Sequence, residues 1–189
     1  MRLIRPLMLI ATAAAVALVP AAADAKSYSS VDQPHDMVVL TMPGGTTSPA
    51  PERAEGDIIG SRVRHRAHAV VMTLRYQELT AGQQAVHWFG IRTGKMARFV
   101  LLATDAGHPA GRARLFKPSG KMVRCHVRHS LDYTANTATV RVPRSCLGTP
   151  RRVRAAMQYA APVSQTQAYV DDARSTSGWL PVYGPWVRR

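Results

Sequence analysis

The sequence predicts an all-β protein, a two-sheet antiparallel β-sandwich of the jelly-roll or immunoglobulin-like kind with one cross-strand disulfide. Three observations carry this. From Gly56 onward, short runs of alternating apolar and polar residues are separated by Gly- and Pro-containing turns at the spacing of sandwiches and barrels. No window sustains the 3.6-residue period of an amphipathic helix; only Glu78–Val86 has room for one helical turn. The only two cysteines, Cys125 and Cys146, fall opposite each other when the chain is folded about a turn-like segment between them.

Taken in order, the chain opens with an export signal over residues 1–25. Arg2 and Arg5 give a positive start, and Leu7–Val19 is an apolar run too short for a comfortable membrane span. Pro20 breaks it, and small-residue cleavage sites follow Ala23 and Ala25. This places the mature protein in a secreted, extracellular or envelope-associated location, with no integral membrane segment after cleavage. Residues 26–56 read as a loosely ordered N-terminal segment with one strand near 36–41, from Asp36 through the apolar Met37–Leu40, which joins the sandwich. Pro43–Pro51 reads as a loop. Residues 57–189 read as the sandwich domain. Its strands are Asp57–His65, Ala69–Tyr76, Val86–Ile91, Arg98–Ala103, Ala113–Phe116, Met122–Val127, Thr137–Val142 and Arg152–Tyr159. In Ala69–Tyr76, Val70, Met72, Leu74 and Tyr76 alternate with Val71, Thr73 and Arg75, as on a half-buried strand.

An exported location favours a disulfide between Cys125 and Cys146. Asn136 is suited to a left-handed turn position. Folding about the Ala135–Asn136 bond pairs Cys125 with Cys146, His129 with Val142, Leu131 with Val140 and Tyr133 with Ala138. Val123, Cys125, Val127, Leu131, Val140, Val142 and Cys146 then share one face. The expected role is structural, because no C-x-x-C redox spacing is present.

Charge sets the partner class. Lys and Arg number 25 against 11 Asp and Glu, a formal net charge of +14, and only Lys26, Lys95, Lys117 and Lys121 are lysine. Arginine-rich, asparagine-poor usage fits a GC-rich bacterial genome. Whatever its origin, such a surface attracts anions. Export argues against nucleic acid, so an acidic envelope polymer or a glycan is the expected partner. Two alternating runs, Arg62/Arg64/Arg66 and Arg151/Arg152/Arg154, read as solvent-facing arginines and candidate polyanion contacts.

Other candidates are weighed by spacing. His65/His68 and His126/His129 have H-x-x-H spacing, but residues i and i+3 of a strand point to opposite faces and cannot share an ion. Asp32, Asp36, Glu52, Glu55, Asp57, Asp171 and Asp172 cluster around strand ends and are candidate hard-oxygen ligands for calcium. In so arginine-rich a chain the stronger expectation is that Asp57 caps a strand and Asp171 and Asp172 pair with arginine, so no metal is assigned. Trp179, Tyr183 and Trp186 lie in a Pro-rich tail, either as a stacking platform for sugars or as a terminal strand packing its rings on the sandwich. Ser119, His108 and Asp105 can be assembled into a triad on paper, but no nucleophile elbow or phosphate loop is present, so neither catalysis nor a cofactor is expected.

The segments Glu55–Ile59, Val63–His65, Val70–Tyr76, Asp132–Tyr133 and Val142–Gly148 resemble small secreted actinobacterial proteins of unknown function. Through Gly56-Asp57-Ile58 and the alternating strand that follows, the chain is also similar to family-nine carbohydrate-binding and DOMON-type β-sandwiches; this implies a sandwich and no particular ligand. The expected function is that of an exported, non-catalytic binding or structural protein of the bacterial envelope. A carbohydrate-binding module using its tryptophans, or a secreted hydrolase, are the alternatives.

Overall fold

The computed structural model describes residues 26–175 and 179–189. The expected export segment and its cleavage sites lie outside these residues. The described chain forms strands β1 (Ser27–Val31), β2 (Val38–Thr41), β3 (Thr46–Pro49), β4 (Ile58–His65), β5 (Ala69–Tyr76), β6 (Ala85–Thr93), β7 (Ala97–Asp105), β8 (His108–Phe116), β9 (Met122–Val123), β10 (Arg128–Asp132), β11 (Thr137–Pro143), β12 (Arg152–Pro162), β13 (Gln167–Asp172) and β14 (Val187–Arg188), with a 3-10 turn at Arg144–Leu147. The N-terminal segment thus holds three strands where the sequence suggests one. β1 and β3 were hidden because Ser27–Val31 and Thr46–Pro49 are polar edge strands with almost no buried side chain. Glu78–Val86 forms turns leading into β6, and no α-helix forms there.

The strands make two antiparallel sheets. The smaller has the order β1-β4-β5-β11-β10, and the larger β3-β2-β13-β12-β6-β7-β8-β9, with β14 also on β12. Alternation decides which face is inside. Val70, Met72, Leu74 and Tyr76 of β5 join Ala138, Val140 and Val142 of β11 in one buried cluster. Phe89 and Ile91 of β6, Val100 and Leu102 of β7, and Val153, Met157 and Tyr159 of β12 belong to the same cluster. One core lined by both sheets is the signature of a sandwich. A satellite cluster of Val38, Leu40 and Val170 extends it beneath β2 and β13.

β12 organises the larger sheet. One of its edges pairs with β6 from Val153 to Ala160. The other edge is divided: β14 pairs at Arg152 and Val153, and β13 from Gln158 to Pro162. Between them, Ala155 and Met157 accept hydrogen bonds from the amides of Gly184 and Ala173. The chain leaves β12 after β13 and returns to the same edge.

Cys125 and Cys146 are bonded, with an S–S distance of 2.12 Å. The hairpin register differs from the expected one by two residues: Leu131 pairs with Ala138, His129 with Val140 and Arg128 with Arg141. Asp132 is the cause. Its carboxylate accepts hydrogen bonds from the amides of Thr134 and Ala135, which ends the strand at Asp132 and makes a turn of 133–136 closed by left-handed Asn136. A shift of two preserves the inward face. The cysteines therefore sit just beyond the ladder, Cys125 in the link before β10 and Cys146 in the 3-10 turn after β11, tying the two arms of the hairpin together.

A polar group interrupts the core. Tyr76 Oη and His87 Nδ1 are hydrogen-bonded at 2.6 Å, and Tyr76, His87 and Tyr159 meet edge to face. Burial pushes His87 down to about 4.

Two outcomes are expected. Replacing Cys125 and Cys146 together by Ala lowers stability by about 3 kcal/mol through the lost loop constraint, read as a lower urea midpoint with a steeper slope, because the unfolded chain without its cross-link expands. The second concerns His87, which is neutral in the fold and titrates near its ordinary value when unfolded. Its contribution is complete above about pH 6.5 and is lost as pH falls toward about 4. The loss of unfolding free energy between pH 7 and pH 4 is expected to be smaller by about 3 kcal/mol in H87Q than in the native sequence.

Candidate functional site

Two sites form at opposite stretches of the divided β12 edge, one acidic and buried, the other basic and open.

The acidic site gathers Asp36 from the β1–β2 link, Asp57 at the start of β4 and Asp171 of β13, with one carboxylate oxygen of each within 4.8 Å of the others. Local backbone chemistry aims them. Gly56 has φ +83°, and a Cβ there would lie 1.9 Å from the Tyr159 ring, so only glycine lets the chain pass beneath the tyrosine and deliver Asp57. His35 takes a left-handed conformation, and its amide donates to Asp57 Oδ2 at 2.9 Å. The Ile58 amide donates to Asp171 Oδ2 at 2.5 Å, joining the smaller sheet to the larger. Asp172 lies alongside, with both oxygens occupied by the amides of Arg174 and Val182. Asp32 is coupled electrostatically to Asp36, Asp172 and Asp57. Burial, reinforced by neighbouring carboxylates, raises Asp171 to about 9, Asp32 to about 7 and Asp36 to about 6. Burial alone raises Asp57, against the backbone hydrogen bond from His35, and it raises Asp172 to about 6, against backbone hydrogen bonds from Val182 and Arg174. So many carboxylates cannot stay ionised together without a cation or shared protons.

The expected arginine partners are not there. Among the described residues, the one ion pair within 4.0 Å joins His108 to Asp105. A guanidinium needs room for its planar fork, and these carboxylates are enclosed between sheets, where the charge on Asp172 is met by backbone amides and a more distant Arg174. Glu55 goes elsewhere and accepts from the amide and hydroxyl of Thr80, while Glu52 is exposed.

The basic site is a cleft of about 660 Å³ lined by Arg144, Arg151, Arg152, Arg188 and Arg189. A second hollow of about 520 Å³ shares Arg151 and Arg152 and continues past Leu147 to Lys95. No Asp or Glu lines either. The divided edge creates the cleft: β14 lies along the start of β12, bringing Arg188 beside Arg152. Aromatic rings order the arginines next to it. Arg152 and Arg154 lie over Trp186, and Arg92 and Arg154 over Tyr183, at 4.4–5.5 Å from the ring centres. Arg144 serves a different purpose: its guanidinium donates to the carbonyls of Ala67, Thr149 and Pro150, pinning two turns as the floor.

The structure thus unites two groups that sequence treats separately, Arg151/Arg152/Arg154 and Tyr183/Trp186. Trp179 stands apart, with its ring against Gly45, and its carbonyl accepts from Gln158 Nε2. Arg62, Arg64 and Arg66 lie on β4 and just past it, outside the cleft lining. Sequence reasoning missed Arg144, Arg188, Arg189 and the ring-supported Arg92, whose approach depends on tertiary pairing. His65 is buried, with Nδ1 3.3 Å from the Val187 carbonyl, while His68 is exposed in the following turn. His126 is exposed, and His129 bonds the Gly111 carbonyl. His108 and Asp105 meet at 3.0 Å on the β7–β8 turn, but Ser119 lies past the other end of β8, roughly 30 Å of extended chain away, so the three do not form a triad.

No protein-family model, curated protein or solved structure matches the chain. The resemblances carried by Glu55–Tyr76 and Val142–Gly148 therefore supply no functional assignment.

R144A is expected to lose about 2–3 kcal/mol of stability, because its three carbonyl partners lose a charged donor, a loss read from chemical denaturation.

Proposed function

We propose that this chain is an exported, non-catalytic binding protein that holds an anionic polymer in its basic cleft. The observation that carries the reading is the convergence of four exposed arginines, Arg151, Arg152, Arg188 and Arg189, on one open cleft floored by Arg144, with no Asp or Glu in its lining. Unpaired guanidiniums held side by side repel one another, and a row of sulfate, phosphate or carboxylate groups relieves that repulsion. Trp186 and Tyr183 support the same role. A guanidinium stacked on a ring loses less freedom on binding and keeps its edge N–H groups available for bidentate contact. Because Arg152 and Arg154 occupy a face of Trp186, that ring serves arginine placement before sugar stacking. Acidic polymers of a bacterial envelope have the matching chemistry.

Heparin resin is the test probe. R151Q/R152Q/R154Q is expected to bind about tenfold more weakly and to elute at lower salt than R62Q/R64Q/R66Q, which removes the same charge elsewhere. Equal losses in the two triple variants, or retention indifferent to salt, would overturn the cleft as the binding site.

A further inference from the structure

We propose that Asp36, Asp57 and Asp171 form a calcium site that fastens the N-terminal link to both sheets.

The donor set is the first argument. It is all carboxylate oxygen, with no histidine or cysteine, and its atoms lie within 4.8 Å of one another, which suits a hard cation with metal–oxygen distances of about 2.3–2.6 Å. The second argument is independent of clustering. Asp57 and Asp171 are 0 % and 2 % exposed, yet Oδ1 of each has no hydrogen-bond partner. Asp36 has neither oxygen bonded, and both are shielded from solvent. Asp32 Oδ2, next to them, is also buried and unbonded. Buried polar atoms left without partners are rare because each forfeits its hydration. In Asp57 and Asp171 the backbone takes Oδ2 and leaves Oδ1 for something else. These carboxylates lie in a chain of +14 charge with no arginine or lysine within 4.0 Å among the described residues. A divalent cation satisfies the free oxygens and the charge together.

Calcium is favoured over magnesium. Four free carboxylate oxygens from residues on three separate segments match its flexible coordination of six to eight oxygens, completed by water. Magnesium demands near-octahedral geometry and keeps most of its water.

Thermal unfolding and titration calorimetry of the purified, chelator-treated chain provide the test, with calcium chloride and magnesium chloride as probes. Calcium at about 100-fold above its Kd is expected to raise Tm by on the order of 5 °C. D36N and D171N should each abolish the calcium-dependent shift and the binding heat. Both substitutions preserve side-chain shape, and the amide oxygen that D171N introduces can still accept from the Ile58 amide. Should D171N not fold, D36N alone decides, since no hydrogen bond of the fold depends on the Asp36 carboxylate. Absence of a calcium effect on the native sequence, an undiminished shift in D36N, or an equal response to magnesium would overturn the assignment. Heparin retention is not the readout, so this result stands or falls separately from the basic cleft.

Discussion

β12 must satisfy two hydrogen-bonding edges with more than two neighbours. β6 covers one edge over most of its length, but β13 covers only the later half of the other. The remaining carbonyls and amides near Arg152–Ala155 would face water or stay unpaired had the chain not returned as β14. That return fixes much else. It puts β13, and with it Asp171 and Asp172, at one stretch of the edge, and it puts Val187–Arg189, with Tyr183 and Trp186, at the other.

The two sites are built by different physics on this shared edge. At the acidic seam, side chains are held by backbone amides: Ile58 to Asp171, His35 to Asp57, Arg174 and Val182 to Asp172. The bond from Ile58 to Asp171 crosses from the smaller sheet to the larger and ties the layers together. At the basic cleft, Arg152 and Arg154 rest on Trp186, Arg144 is buried as the floor, and Arg151, Arg152, Arg188 and Arg189 stay open to solvent. One site is closed by geometry and lacks a counter-charge; the other is open and lacks one too.

The fold class was legible because alternation is a local property. β4 to β7, β11 and β12 bury alternate residues strongly enough for the period of two to show. β1, β3 and β13 did not show: Ser27–Val31 and Thr46–Pro49 are polar edge strands, and Gln167–Asp172 ends in two buried aspartates that break the apolar alternation. The disulfide partners were readable from cysteine count and turn chemistry, and left-handed Asn136 was anticipated. The register slipped by two because the Asp132 carboxylate, not the Ala135–Asn136 bond, decides where the turn begins. Arg151, Arg152, Arg154, Tyr183 and Trp186 were each picked out, but their union needed the β14–β12 pairing. The carboxylate group was seen as a set of strand-end residues, and its expected resolution by arginine failed because Asp36 and Asp171, 135 positions apart in the sequence, meet between sheets where a guanidinium cannot follow.

Burying aspartates at the seam has a consequence for the charge that the surface displays. Of 11 acidic residues in the chain, Asp32, Asp57, Asp171, Asp172 and Glu55 are buried and Asp36 is half-buried. Few negative side chains are left on the outside to interrupt the arginines. The field close to the surface is therefore more uniformly positive than the composition implies. Where the interior places its acids thus shapes the electrostatic face that the exterior presents.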